Sequence, residues 1–142
     1  DGISFIEHLS FDAFNEGIRL PQSIYAAQSL LHTKTKIIGA DAIYATNKNR
    51  NYVNEHQIKT DFKRKGRPSK HKDHFSQLAK MITKERASRL EGSFGTDKEH
   101  FLLNRIRART EKTERLWIFF GIHTSNALNI GRRMSQKQQM VA

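Results

Sequence analysis

Two acidic residues, Asp41 and Glu91, stand where their carboxylates could bind a metal ion. Asp41 ends an apolar run, residues 36–40, that predicts a buried strand, and ligands of α/β sheets bind at the carboxyl ends of strands. Glu91 lies in a helical pattern two turns before Lys98, on the same face. Carboxylate oxygens are preferred Mg²⁺ ligands, so the two acids predict a site for metal-assisted cleavage of phosphodiesters.

Each acid also has an ordinary structural explanation. Asp41 is a residue type that commonly caps helices or lies in turns, and it follows a predicted strand, where such a turn or cap is expected. Glu91 and Lys98 could form a solvated pair on a helix surface. The residues alone leave these alternatives open.

The charge of the chain indicates a polyanionic partner. The 142 residues include 25 Lys and Arg against 14 Asp and Glu, which gives a net charge of +11. Residues 48–115 hold 19 of the basic and 9 of the acidic side chains, so the excess lies beyond the first third of the chain. The absence of Cys excludes disulfides, a zinc ribbon and a thiol nucleophile. The most apolar run, residues 116–122, is too short to span a membrane.

Hydrophobic spacing predicts an α/β domain in which strands and helices alternate. The expected strands are residues 3–11, 36–40 and 58–62, and the expected helices are residues 15–32, 47–55, a stretch capped by Asp73 that includes Ile82, and residues 113–134. In the last helix, Leu116, Trp117, Phe120, Ala127 and Leu128 are expected to form the core. Base stacking by Trp117, Phe119 and Phe120 is the less favoured alternative.

Five blocks of sequence, in the same order, resemble insertion-sequence transposases with an RNase H-like DDE catalytic domain. They are residues 10–16 (SFDAFNE), 39–44 with 49–52 (GADAIY and NRNY), 65–68 (KGRP), 90–95 with Lys98 (LEGSFG), and 103–109 (LNRIRAR). The resemblance extends from residue 1 to about residue 133. It implies an RNase H-like mixed sheet flanked by helices, incomplete at its N-terminus.

The resemblance also implies roles for individual residues. Asp41 would be the second and Glu91 the third catalytic acid, and both would bind Mg²⁺ or Mn²⁺. The residues implied to bind DNA are Arg64, Lys65, Arg67, Arg86, Arg89, Lys98, Arg105 and Arg107. The first acid of the family is expected upstream, because neither Asp1 nor Asp12 matches its position. Residues 1–134 are therefore expected to be the C-terminal portion of the catalytic domain, inactive alone, and residues 135–142 a flexible tail.

The implied function is DNA transposition, by metal-dependent strand cleavage followed by transfer of a 3′-hydroxyl. The partners would be transposon ends and target DNA, with a homo-oligomer in the synaptic complex and no membrane. The implied location is the nucleoid, in the cytoplasm of a prokaryote. The alternative is a non-enzymatic, basic DNA-binding module, because residues 65–68 also resemble the core of an AT-hook.

Overall fold

Five α-helices and two short parallel strands form the regular structure in a computed structural model of the chain, which describes residues 3–66, 72–88, 92–101 and 103–141. These residues belong to two compact units. The sheet unit is Glu7–Arg86, and the helical unit combines Asp1–Ile6 with Ala87–Ala142.

The sheet unit begins with a 3-10 turn, Glu16–Arg19, that continues into helix α1, Leu20–Leu31. Asn15 caps the turn, because its side-chain oxygen accepts a hydrogen bond from a backbone amide of the turn. Pro21 lies in the first turn of α1, where its missing N–H leaves no hydrogen bond unmade. The prediction of a helix over residues 15–32 is confirmed.

The two strands are joined by one helix. Strand β1 is Ile37–Ile38, helix α2 is Asn47–Glu55 and strand β2 is Lys59–Thr60. The strands pair in parallel, with Ile37 opposite Lys59. The predicted strand–helix–strand order and the α/β class are confirmed, although each strand is two residues long.

Helix α2 agrees with its predicted bounds, whereas strand β1 is less buried than predicted. Thr46 caps α2 through its hydroxyl oxygen, and the helix covers residues 47–55 as predicted. The strand expected at residues 36–40 was predicted to be buried, and that expectation is wrong for Ile37, which is exposed. The reason is the pleat: Ile37 and Ile38 point to opposite faces, and only Ile38 packs against the core.

The core of the sheet unit lies between its helices and the strand β2. Leu20 and Ile24, one turn apart on α1, pack with Val53 of α2 and with Ile58 just before β2. Partly buried apolar residues surround this cluster: Ile38, Tyr44, Tyr52 and Phe62. This packing joins both ends of the β1–α2–β2 connection to one cluster.

The strand predicted at residues 3–11 is wrong, because residues 3–15 form no strand in the structure. In the helical unit, the amide of Ser4 donates to Asn126 Oδ1 at 2.9 Å, and the carbonyl of Ser4 accepts from Asn126 Nδ2 at 2.6 Å. A side-chain amide therefore satisfies backbone groups that a neighbouring strand would otherwise bind.

In the sheet unit, hydrogen bonds from Arg19 hold the pKa of Glu7 below its usual value.

Helix α3, Lys72–Arg86, ends the sheet unit, and helix α4, Gly92–His100, lies in the helical unit. Asp73 lies inside α3 rather than at its cap, which corrects the prediction for that residue. Ile82, which the sequence places in this helical stretch, is buried.

Helix α5, Glu111–Val141, is the longest described helix. Thr110 and Thr113 form a reciprocal cap: each hydroxyl oxygen accepts a hydrogen bond from the backbone amide of the other residue. The helix continues to Val141, through the positions expected to form a tail after residue 134.

Several residues of α5 that the sequence predicts to be in the core are exposed. Leu116, Phe120 and Leu128 are exposed, whereas Ser125 and Asn126 are buried. Since each residue advances by about 100°, Ser125 lies on the side of the helix opposite Leu116. The core prediction is therefore wrong for the exposed residues, and Ser125 and Asn126 lie on the side of α5 that is turned inward. Within the described ranges, no helix is both long and apolar enough to cross a membrane.

Candidate active site

Two aspartates follow the two strands at the same edge of the sheet. Asp41 comes three residues after β1, and Asp61 comes directly after β2. Because the strands are parallel, their carboxyl ends meet at one edge, which is where α/β sheets bind ligands. The strand-end position predicted for Asp41 is confirmed, whereas Asp61 was not singled out from the sequence.

Arg86, the last residue of α3, lies between these two carboxylates. Its NH1 atom is 3.3 Å from Asp41 Oδ1 and 3.4 Å from Asp61 Oδ2. The Asp61 side chain is 5% exposed, whereas the Asp41 side chain is 77% exposed. One guanidinium therefore neutralises a buried acid and also reaches an exposed one, which is left accessible to a ligand.

The second oxygen of Asp61 binds the backbone beside Asp41. Asp61 Oδ1 accepts a hydrogen bond of 3.2 Å from the amide of Ala40. Asp61 is thus connected to Asp41 by two routes, through the Ala40 backbone and through Arg86.

The backbone of Asp41 belongs to a turn, but its side chain does not cap that turn. Asp41 precedes the 3-10 turn Ala42–Tyr44, and its carbonyl accepts a hydrogen bond of 3.0 Å from the Tyr44 amide. The carboxylate makes no capping hydrogen bond to this turn. The cap explanation therefore accounts for the position of Asp41 and not for its exposed carboxylate.

Gly39 lets helix α3 approach this edge closely. A Cβ atom at Gly39 would lie 2.9 Å from Ile82 Cγ2 and 3.6 Å from Arg86 Cδ. The first of these contacts is too short, so either the Ile82 side chain or α3 would have to move, whereas the second is an ordinary van der Waals contact. The absence of a side chain at Gly39 therefore allows Arg86 to reach the two aspartates.

Asn49 and Arg50 of α2 hold the chain that follows Asp41. Asn49, 2% exposed, donates from Nδ2 to the carbonyls of Gly17 at 2.6 Å and Tyr44 at 2.8 Å. Arg50 Nε donates to the carbonyl of Ala45 at 3.0 Å. Through these bonds, α2 fixes the turn Ala42–Tyr44 that follows Asp41.

The phenol of Tyr44 remains protonated over a wide pH range. Burial raises the pKa of Tyr44, and the negative charges of Glu16 and Asp41 act in the same direction. The Asp41 carboxylate therefore lies near a neutral phenol rather than a phenolate.

The other residues predicted for the site are dispersed along the chain. Arg64 and Lys65 are exposed in the loop after β2, and Lys65 Nζ lies 2.9 Å from Asn47 Oδ1. In the helical unit, Lys98 of α4 is exposed, as are Arg105 and Arg107 between α4 and α5. Glu91, Arg67 and Arg89 lie outside the described residues, so the expected meeting of Asp41 and Glu91 stays a prediction.

The donor chemistry at Asp41 fits a hard divalent cation. Its carboxylate offers oxygen ligands, and its exposure leaves it accessible to a cation. Among the described residues, no three His, Asp or Glu side chains are grouped closely enough to enclose a metal ion. Asp41 could therefore supply one ligand of a site completed by other residues.

The comparisons with known proteins point to the same part of the chain. A family model described as a transposase DDE domain matches residues 38–122, which run from β1 into α5 and include both aspartates. No curated protein and no solved structure matches the chain. The match covers more than half of the sequence and confirms the resemblance noted above. The chain therefore belongs to the transposase DDE domain family, whose proteins act in DNA transposition.

Proposed function

We propose that this chain contributes Asp41 and Glu91 as the second and third acids of a transposase catalytic centre. The observation that carries the proposal is the exposed carboxylate of Asp41 at the carboxyl edge of a parallel β–α–β unit, inside the family match. We expect this β–α–β unit to be one part of a larger RNase H-like sheet. Glu91, from the C-terminal part of the match, would complete the site with Asp41.

The reaction of the centre consists of two displacements at phosphorus. Water attacks the phosphodiester at the end of the element, and the bond to the 3′ oxygen breaks, so that a 3′-hydroxyl is released. That hydroxyl then attacks a phosphodiester of the target, forming a new bond as the target strand breaks. Mg²⁺ or Mn²⁺ held by Asp41 and Glu91 would supply Lewis-acid stabilisation of the attacking and leaving oxygens.

The residues of this chain would also hold the DNA. The exposed Arg64 and Lys65 follow β2, so they extend from the same edge as Asp41 and would bind phosphates. Lys98, Arg105 and Arg107 are exposed in the helical unit and would add further phosphate contacts. Arg67 and Arg89 are assigned the same role from the resemblance.

The proposal includes an acid from outside residues 1–142. Two acids do not complete a DDE centre, and neither Asp1 nor Asp12 matches the first position of the family. The chain is therefore proposed to be inactive alone and to act within the intact transposase, as a homo-oligomer that joins transposon ends to target DNA.

The test is strand cleavage by the intact transposase on DNA that carries the ends of its element. Asp41→Asn should lower Mg²⁺-dependent nicking by at least about 100-fold, since it removes a metal ligand. DNA affinity should change little, because phosphate contacts come from other side chains. Asp12→Asn is the matched control, as it removes the same charge from an exposed position of the sheet unit. Full nicking by Asp41→Asn would show that Asp41 is not a catalytic acid and would favour a DNA-binding rather than a catalytic role for this chain.

A further inference from the structure

We propose that Asp61 is a positioning residue that fixes both the backbone and the charge environment of Asp41. The inference rests on the proposed function in so far as Asp41 is treated there as a metal ligand. Its structural part, that Asp61 holds the backbone at Ala40, directly before Asp41, can be tested separately.

The burial of Asp61 is the first argument. A carboxylate is costly to bury unless its oxygens are paired, and this side chain is only 5% exposed. Asp61 Oδ1 accepts from the Ala40 amide and Asp61 Oδ2 lies 3.4 Å from Arg86 NH1, so both oxygens have partners. Both partners lead to Asp41, since Ala40 precedes it in sequence and Arg86 NH1 lies 3.3 Å from its Oδ1.

The sharing of Arg86 is the second argument. A guanidinium paired with Asp41 alone would compete with a divalent cation for that carboxylate. Asp61 draws on the same guanidinium from the buried side, which weakens the hold of Arg86 on Asp41. Asp61 also adds negative charge close to Asp41. Both effects favour a cation at Asp41, so removal of the Asp61 charge should weaken cation binding there.

Two substitutions separate the backbone role from the charge role. Asp61→Asn keeps an oxygen that can accept from Ala40 but removes the charge that attracts Arg86. Asp61→Ala removes both interactions. Asp12→Asn, an exposed change of the same charge in the same unit, is the control.

Hydrogen exchange followed by NMR on the full chain tests the backbone role. In Asp61→Ala, the Ala40 amide should exchange about five- to tenfold faster, as expected when one hydrogen bond is removed. The amide of Val53 in α2 should keep its rate, whereas in Asp61→Asn the Ala40 amide should stay protected. If Ala40 exchanges at the same rate in all variants, or if Val53 accelerates equally, Asp61 is not a positioning residue. Should Asp61→Ala fail to fold, the unsubstituted chain decides: a protected Ala40 amide would support its hydrogen bond to Asp61, and an unprotected one would overturn it.

Mn²⁺ titration of the same samples tests the charge role. Mn²⁺ should broaden the amide signals of Asp41 and Ala42, and Asp61→Asn should require about three- to tenfold more Mn²⁺ for the same broadening. Equal requirements in Asp61→Asn and Asp12→Asn would overturn the charge role. If Mn²⁺ broadens neither signal in the unsubstituted chain, the metal site of the proposed function fails at Asp41. Hydrogen exchange at Ala40 then decides alone whether Asp61 holds the backbone before Asp41.

Discussion

Asn49 shows how one side chain can hold a site without taking part in its chemistry. Its amide donates to carbonyls of Gly17 and Tyr44, which belong to two separate turns. The turn that contains Tyr44 begins directly after Asp41. The position of Asp41 therefore depends on Asn49, a buried polar residue of α2.

Replacing Asn49 by leucine keeps the approximate volume but leaves two buried carbonyls without their donor. We expect Asn49→Leu to lower the free energy of unfolding by about 2–5 kcal/mol, since each unmet group costs about 1–3 kcal/mol. Urea unfolding of the full chain measures the change. Asn51→Leu, at an exposed position of the same helix, is the control and should change stability by less than about 0.5 kcal/mol. Equal decreases in both variants would show that the Asn49 bonds add nothing.

The sequence predicted Asp41 better than it predicted the surroundings of Asp41. A strand followed by an acid is a local pattern, so Asp41 could be identified from its neighbours. Asp61 also follows a strand, but its significance depends on Arg86, which α3 brings near and which the resemblance assigned to DNA. A contact made by tertiary approach leaves no local pattern. The sequence also places Asp61 inside the strand expected at residues 58–62, whereas β2 ends at Thr60, so no strand-end pattern marks this acid.

Among the elements, the helices with strong caps were predicted best. Thr46 and Asn15 mark helix starts that the structure confirms, because a cap depends only on residues next to it. The strand at residues 3–11 failed, since β-branched and aromatic residues form a strand only beside a partner strand. The RNase H-like sheet is likewise a property of many strands together, and the described residues contain two.

The close approach of α3 to Gly39, directly after β1, yields a prediction about this glycine. Gly39→Ala should lower the free energy of unfolding by about 1–3 kcal/mol, because the new Cβ would lie 2.9 Å from Ile82 Cγ2. Gly131→Ala is the control, since nothing lies within 4 Å of a Cβ there and alanine favours a helix.

Combining the change with Ile82→Ala distinguishes a steric effect from a backbone effect. Ile82→Ala should cost about 2–5 kcal/mol alone, through the cavity that it leaves. In the double variant, the Cβ at position 39 would enter that space, so the total cost should be smaller than the sum by about 1 kcal/mol. Strict additivity in urea unfolding would show that Gly39 does not permit the close approach of α3.

At the scale of the whole molecule, charge and family membership agree. The excess of cations lies in residues 48–115, and the family match covers residues 38–122, so the basic part of the chain is largely the transposase DDE domain. This function class could be predicted from the sequence because charge and ordered motifs can be read without knowledge of the tertiary structure. The exposure of the apolar residues of α5 could not be predicted in this way, since it depends on the tertiary packing of the helical unit.

DNA affinity that comes from phosphate contacts falls as salt rises. Removing the cations that make those contacts reduces this salt dependence, which identifies the binding surface. The loop cations Arg64 and Lys65 are exposed after β2, and Lys34 and Lys36 are exposed before β1 in the same unit. If the loop binds phosphates, Arg64→Ala with Lys65→Ala should reduce the log–log salt slope by about 0.9 for each phosphate that the loop no longer neutralises. Lys34→Ala with Lys36→Ala removes the same charge and should leave the slope nearly unchanged, because those residues belong to the part of the chain without excess cations. Fluorescence anisotropy with a labelled duplex, at about 50 to 200 mM salt, measures both slopes. Equal reductions in the two pairs would mean that net charge alone attracts DNA and that the loop binds no phosphate of its own.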